Sequence, residues 1–430
     1  MPFLLKRFFL ESMPEWISKL VYRSGIALYS TAISAASLVN RKAALLKQGR
    51  KNSFAYLTAK TDPTVRYTWF HAASLGEFEQ GRPVMEALKQ SHPETRILLT
   101  FFSPSGYEIR KNYTGADLIC YLPADTPANA RRLMEKVPLN AAIFIKYEFW
   151  AYYLMELNLR NIPVYSIAAI FRKEQLFFKS YGSWYRKLIQ RFNTIFVQDA
   201  GSLELLLQQG IQQGVVAGDT RFDRVKSLAS TAKEFPLIEE FIRGSKKVII
   251  AGSSWPADEH LLAEYQQQHP EIRLMIVPHE IHESHLEGIR KLFPESLRYT
   301  QFSTGMETSS NCLVIDTIGM LSSIYRFADI AYIGGGFGVG IHNTLEAAVW
   351  GVPVVFGPNY QKFREARELI ASGGGFSISN YKELRDCFNH LLTDTTAGEK
   401  AGEYVLANTG ATSLIIEQLT NDLYAKTIDS

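Results

Sequence analysis

Apolar and polar positions alternate along most of the chain in blocks of two different periods. From Tyr67 onward, short apolar runs rich in β-favouring residues recur at Tyr67–His71, Ile97–Phe101, Ala141–Ile145, Val164–Ala168 and Thr194–Val197. Segments with helical spacing, such as Phe78–Gln90 and Ala151–Asn161, lie between several of them. Continuous apolar runs predict strands buried on both faces, and their alternation with helices predicts a parallel sheet covered on both sides. A looser stretch follows the short run Val215–Ala217 and leads into Lys226–Glu234, rich in Ser, Thr, Ala and Lys. The alternation then restarts with Lys247–Ala251, Leu274–Val277, Cys312–Ile315, Ile330–Ile333 and Val354–Phe356. The expected architecture is α/β: two similar halves facing each other across a cleft, residues 53–225 and 226–430, with the boundary near 222–240. The closing helical stretch, Lys400–Tyr424, can cross back onto the first half.

Residues 1–52 follow neither period. Ser24–Asn40 is 17 residues without a charge, the lower limit of a membrane span, but it carries four serines and a threonine. Trp16, Tyr22 and Tyr29 suit an interface. Arg41, Lys42, Lys47, Arg50 and Lys51 follow. If the segment spans, this cluster places the rest of the chain in the cytoplasm. If it does not, an amphipathic helix lying on an anionic leaflet uses the same charges. The plain alternative is a soluble helix packed on the body. A secretory signal fits poorly, because the polar region before the apolar stretch is long and no clear cleavage site follows.

A length of 430 residues calls for two to three domains, and a net charge of +3 gives no global field for nucleic acid. Cys120, Cys312 and Cys387 are far apart and odd in number, which points to a reducing compartment. His279, His282 and His285 are closely spaced with Glu280 and Glu283, but a solvated loop and helix start explain them better than a metal site. No Asp-x-Asp motif, no Gly-x-Ser-x-Gly elbow and no Gly-Lys-Ser/Thr loop occur.

The strongest local signal runs from Ala328 to Pro358. Ile330–Ile333 reads as a buried strand, five glycines follow between Gly334 and Gly340, and Asn343 can cap a helix with Glu346 three positions on. Gly351 and Pro353 end that helix. A helix N-terminus behind a glycine loop suits a phosphate, His342 could donate to it, and Glu346 could accept from ribose hydroxyls. The plain alternative for Glu346 is a capping-box partner. Ligands of parallel sheets bind beyond the carboxyl ends of strands, and two loops there stand out: His71–Glu77 and Lys146–Trp150. Glu77, at the start of a helix, is the best candidate base, against the alternative of a first-turn residue complementing the dipole. Glu148 lies among Tyr147, Phe149 and Trp150. Arg172 and Arg221 suit phosphate or carboxylate contacts, with plain surface positions as the alternative.

Together these residues resemble the 3-deoxy-D-manno-octulosonic acid (Kdo) transferases of lipopolysaccharide synthesis, which have the two-Rossmann-domain GT-B fold. The likeness is carried by His71-Ala-x-Ser-x-Gly-Glu77, Tyr147-Glu148-Phe-Trp150, Gly218-Asp-Thr-Arg221-Phe-Asp223, Val277-Pro278-His279, Asp316-Thr-Ile-Gly319 and the glycine loop ending His342-Asn-Thr-Leu-Glu346. The order and spacing of the set are specific where each motif alone is not. The resemblance implies transfer of Kdo from CMP-Kdo to a lipid A precursor (lipid IVA), with inversion and without a metal or other cofactor. It implies membrane lipid as a partner, no nucleic acid, and a place on the cytoplasmic face of the inner membrane. It assigns Glu77 as general base, and Glu148 and Arg221 to transition-state stabilisation. It assigns Pro278, His279, Ile318, Gly319, Met320, Asn343, Thr344, Leu345 and Glu346 to CMP. The family often has Arg at His279, Lys at Arg221, Glu at Met320 and Pro at Thr344. Outside this reading stand a different sugar-nucleotide enzyme, a UDP-sugar transferase or an epimerase, and a membrane-tethered module that binds without turnover.

Overall fold

The computed structural model describes residues 14–424 apart from 180–181, 232, 307–309 and 339. The chain divides into two compact units, Met1–Arg224 with Gly410–Ser430, and Val225–Thr409.

The first unit holds a seven-stranded parallel sheet: β1 (Tyr67–Ala72), β2 (Arg96–Phe101), β3 (Leu118–Tyr121), β4 (Leu139–Ile145), β5 (Val164–Ala169), β6 (Thr194–Val197) and β7 (Gly214–Val216). Their order is β3-β2-β1-β4-β5-β6-β7. The direction of winding reverses between β1 and β4, whose register pairs His71 with Phe144. Every residue of β1 is buried, as a strand covered by helices on both faces requires.

The second unit repeats the plan with β8 (Val248–Ser254), β9 (Arg273–Pro278), β10 (Leu297–Arg298), β11 (Cys312–Val314), β12 (Ile330–Ile333), β13 (Val354–Phe356) and β14 (Gly375–Ser377). The order β10-β11-β9-β8-β12-β13-β14 puts its reversal between β8 and β12. The strands that the apolar runs did not announce are β3, β10 and β14. They are sheet-edge strands of two to four residues, too short to show a period.

Two boundaries differ from expectation. The cut at 52/53 falls inside the helix Arg41–Lys60, which buries Leu46, Phe54 and Leu57 in the first unit. Ser53 also donates to the Tyr121 carbonyl at 2.7 Å. The tail belongs to the first unit, so the closing helical stretch does cross back and the bound 226–430 runs too far. Ile415 and Leu419 of the helix Ala411–Leu423 are buried in one cluster with Phe78 and Val84. Asp223 fastens that helix start, accepting from the Gly410 and Thr412 N–H groups at 2.7 Å each.

Residues 15–36 form one helix of 22 residues. Among the described residues no helix is long and apolar enough to cross a membrane, so the spanning form of the expected N-terminal membrane helix has no support. The serines, the threonine and the flanking charges lower its apolarity too far. Tyr22 instead packs against the first core, while Trp16, Leu20, Val21, Leu28, Leu38 and Val39 are exposed.

Candidate active site

Both reversal points carry the residues that the sequence singles out. In open α/β sheets the ends of the strands flanking a reversal leave a crevice, and ligands bind there. Glu77 follows β1 and Glu148 follows β4, the two strands that flank the first reversal.

Glu77 sits in the first turn of the helix Leu75–Ser91. Ser74 caps that helix, and the Glu77 carboxylate turns back to accept from the Ala73 N–H at 2.6 Å. It is therefore both a capping partner and a group facing the crevice. Burial first, then the Glu148 charge, raises its pKa from 4.5 to about 7, against the pull of Ala73 and Lys146. A carboxylate poised near neutrality is suited to accept a proton.

Glu148 is held by two side chains. The Trp150 indole N–H donates to its Oε2 at 2.8 Å, and His71 Nε2 lies 3.2 Å from the same oxygen. His71 is fully buried at the end of β1, with Nδ1 2.8 Å from Thr100 Oγ1. Trp69 donates to that same hydroxyl at 2.7 Å. Lys146, just before Glu148, has φ of +62°, a conformation L-residues rarely adopt. Its N–H donates to the Ile167 carbonyl, and its own carbonyl accepts from Ser166, so the turn is held from β5.

Arg221 is ion-paired to Asp219, with Nε and Nη2 at 2.9 and 2.7 Å from one oxygen. The neighbouring Thr220 donates to the Gln80 carbonyl at 2.6 Å, which ties this segment to the helix carrying Glu77. Arg172 is exposed on the loop after β5.

In the second unit β8, β9 and β12 end around a stack of rings. Trp255 lies on His279 (centroids 4.8 Å, 26°), and His279 lies on His342 (4.3 Å, 26°). Burial and the neighbouring His279 push the His342 pKa down to about 4, so it is neutral near pH 7. Asp258 joins the two flanking loops, accepting from the Gly335 N–H at 2.9 Å, the Trp255 N–H at 3.0 Å and the Tyr332 hydroxyl at 2.8 Å. A pocket of about 290 Å³ opens beside this joint, lined by Trp255, Asp258, Gly335 and Phe337 among others. Gly334 passes so close to the Ser253 carbonyl that no Cβ fits between them.

The expected helix behind the glycine loop is a single turn, Leu345–Ala348, preceded by Thr344, whose side chain makes no cap bond. Gly351 and Pro353 stop it before a dipole of any size can build. Asn343 accepts from the Leu345 N–H at 3.1 Å and donates to Glu346 Oε1 at 2.9 Å. Thr344 and Leu345 are buried beneath them. Pro278 ends β9, and His279 follows it. Ile318 is 88% exposed, Gly319 has φ of +89°, and Met320 packs inward at the start of the turn Leu321–Ile324. The Trp350 indole donates to the Ser322 carbonyl at 2.7 Å, which brings the 318–322 segment to the glycine-loop turn.

The three closely spaced histidines separate. His279 joins the ring stack, His282 is exposed and pairs with Glu280, and His285 pairs with the buried Glu259 at 3.0 Å. Among the described residues no group of three or more His, Cys, Asp or Glu side chains is placed to hold a metal ion.

Sequence reasoning gave no role to Trp255, Asp258 or Thr100, and quoted His71 and Trp150 only within motifs. Ser254-Trp255-Pro256 ends a strand and begins a helix, the signal that located Glu77, but Trp255 carries no titratable group to draw notice.

Two seven-stranded parallel sheets, each with candidate residues at its reversal, define a two-unit Rossmann-like protein of the GT-B kind. The fold is shared with the UDP-GlcNAc 2-epimerase from Neisseria meningitidis (TM-score 0.60, 16% identity, covering 83% of this chain and 100% of that one). A family model described as 3-deoxy-D-manno-octulosonic-acid transferase (kdotransferase) matches residues 47–224. The 3-deoxy-D-manno-octulosonic acid transferase of Aquifex aeolicus is 28% identical over 76% of this chain and 86% of its own length. That of Haemophilus influenzae is 23% identical over 89% and 93%. The chain is similar to the Kdo transferases over most of its length, and it is a glycosyltransferase.

Proposed function

We propose that the chain moves Kdo from CMP-Kdo to a hydroxyl of a lipid A precursor, with inversion and without a metal. The observation that carries the chemistry is Glu77, a half-buried carboxylate at the first reversal with its pKa near neutrality. Glu77 takes the acceptor proton as the acceptor oxygen attacks the anomeric carbon. The bond from that carbon to the CMP phosphate breaks, and CMP leaves with the electron pair. Positive charge grows on the sugar ring, and the Glu148 carboxylate is placed to stabilise it. Asp219 holds the Arg221 fork in one orientation, suited to a carboxylate or phosphate oxygen. On the donor side, Asn343 and Glu346 are assigned to the ribose, and the Trp255–His279–His342 stack to the flat or anionic parts of CMP.

The helix Glu15–Ala36 is read as interfacial. Its exposed Trp16, Leu20, Val21 and Leu28 accompany Leu38 and Val39 of the following turn and Arg41, Lys42, Lys47 and Lys51 beyond it. Each cation near an anionic leaflet adds about 1 kcal/mol. On this reading the enzyme works at the cytoplasmic face of the inner membrane, beside a lipid acceptor.

The test is incubation of the full chain with CMP-Kdo and lipid IVA in the presence of EDTA, with mass detection of the product. A mass gain of one or more Kdo residues is expected. Transfer from a UDP-sugar instead, or none from CMP-Kdo, would overturn the reading. Flotation with anionic liposomes tests the interface, and failure to float would remove it.

A further inference from the structure

The helix Glu15–Ala36 reaches the loop that carries Glu148 by two separate routes. The first is a column of rings. Tyr29 of that helix stacks on Phe102 (centroids 5.7 Å, 22°), and Phe102 stacks on Trp150 (5.0 Å, 22°). Arg50, on the next helix, lies over both Phe102 and Tyr29, with its guanidinium carbon at 4.7 and 5.7 Å from the ring centres. At the far end of the column the Trp150 indole N–H donates to Glu148 Oε2.

The second route is a helix cap supplied from elsewhere in the chain. The helix Ala151–Leu159 begins directly after Trp150, and the Trp150 side chain makes no cap bond. The first N–H groups of any helix need acceptors from outside it. Here Ala151 N–H donates to the Tyr22 hydroxyl at 3.3 Å, and Tyr152 and Tyr153 N–H donate to Asp125 at 3.1 and 3.0 Å. Tyr22 in turn donates to Asp125 at 2.5 Å. Trp150 is therefore gripped on both sides, by its ring and by the start of the helix behind it. Tyr29 and Tyr22 come from one face of the same helix, seven residues apart, which is two turns.

We infer that Tyr29, Phe102 and Trp150 are positioning residues for the Glu148 carboxylate, so that the helix Glu15–Ala36 takes part in setting the site as well as in meeting a surface. The inference rests on the role proposed for Glu148. An indole N–H has one direction, and the plane of the ring fixes it. Stacking on Phe102 sets that plane, and Tyr29 backs Phe102. Stacked aromatic pairs contribute about 0.5–1.5 kcal/mol each beyond burial, enough to select one ring orientation. A carboxylate displaced by an ångström from where charge develops loses much of its effect, on the order of a hundredfold in rate.

The experiment uses the full chain with CMP-Kdo and the acceptor dispersed in detergent, where attachment to a bilayer is not needed. Four variants are compared: Tyr29→Leu, Tyr29→Phe, Phe102→Leu and Glu148→Gln. Tyr29→Leu and Phe102→Leu should lower kcat by about tenfold or more, with KM for CMP-Kdo and for the acceptor unchanged within twofold. Tyr29→Phe keeps the ring and should restore kcat. Liposome flotation of Tyr29→Leu should match the parent. Should Tyr29→Leu not fold, as judged by its melting curve, Phe102→Leu decides. Full kcat in both leucine variants beside a crippled Glu148→Gln overturns the inference and leaves the role of Glu148 standing. A rise in acceptor KM alone overturns it in favour of direct acceptor contact. Full activity of Glu148→Gln overturns the role of Glu148 itself, and the inference with it.

Discussion

Replacing Glu77 by glutamine should lower activity and raise stability at once. In the folded chain burial and the nearby Glu148 hold the Glu77 pKa at about 7, against 4.5 when exposed. A carboxyl whose folded-state pKa is raised binds its proton more tightly when folded. Its stabilising contribution is complete below 4.5 and is lost as pH rises through 7. One pKa unit is worth about 1.4 kcal/mol, so the full displacement corresponds to about 3 kcal/mol. Water at the open side of the crevice reduces this, to roughly 1–3 kcal/mol. Glutamine has the shape of the protonated acid and no proton to lose. The variant should therefore match the parent in denaturant melts at about pH 4 and exceed it by that margin at about pH 8. Its kcat should fall by about 10² to 10⁴, the usual cost of losing a general base. The acid limb of the parent's rate profile, centred near pH 7, should vanish from what remains. Near-normal turnover in the variant would remove Glu77 from the mechanism. Equal stability at both pH values would show that the carboxylate is not strained in the fold, and the argument for a poised base would fail.

Glu346→Gln should weaken CMP binding in calorimetric titration by about 1–3 kcal/mol, the worth of a hydrogen bond to a charged group. If Glu346 serves only to hold Asn343, the melting temperature should fall instead and CMP affinity should stay. Gly334→Ala puts a methyl within 2.6 Å of Ser254 Cα and closer still to the Ser253 carbonyl, both backbone atoms that cannot swing away. It should destabilise by about 2 kcal/mol or more and lower CMP affinity with it. An unchanged melt would mean that the two strands part more easily than their packing implies. Deletion of residues 1–52 removes more than half of the helix Arg41–Lys60 with the buried Leu46, and it removes the Tyr22 bond to Asp125. The first unit of that product should lose its cooperative melt, whereas CMP binding, whose candidate residues are in the second unit, should persist.

How much of this was legible in the sequence depended on how local the cause was. The central strands were, because a strand buried on both faces tends to a continuous apolar run, as β12 is. The position of Glu77 at a helix start was, because a carboxylate three residues after Ser74 has a cap to serve, and a strand end before it. The short helix after the glycine loop was misjudged. Asn343 and Glu346 have the spacing of a capping box, but Gly351 and Pro353 leave room for one turn only. The N-terminal residues were misjudged for a different reason. Hydropathy treats Tyr22 and Tyr29 as interface residues, but their hydroxyl and ring partners, Asp125 and Phe102, are about 100 and 70 residues away. No local pattern announces a contact of that kind. Trp150 was invisible for the same reason: its importance comes from Glu148, His71 and Phe102 meeting around it.

The two units solve one geometric problem in the same way. A parallel sheet delivers its loops to one edge, and at a reversal two of those loops must diverge to opposite faces. Each unit has a non-glycine residue at positive φ there, Lys146 at the end of β4 and Ser253 within β8, while Asn161 and Ala168 share the conformation elsewhere in the first unit. Such residues cost about 1–3 kcal/mol apiece and persist only where neighbours hold them. Lys146 is held by Ile167 and Ser166, and Ser253 is packed against Gly334 across the reversal. The turn at Lys146 sends Glu148 back toward β1, within reach of His71. The turn at Ser253 sends Trp255 toward the glycine loop, within reach of His342 at 3.3 Å. Strain at these two points therefore aims a side chain across the reversal in each sheet, an acid in one unit and a flat ring in the other. That difference matches the division of labour proposed for them, charge stabilisation on the acceptor side and nucleotide binding on the donor side.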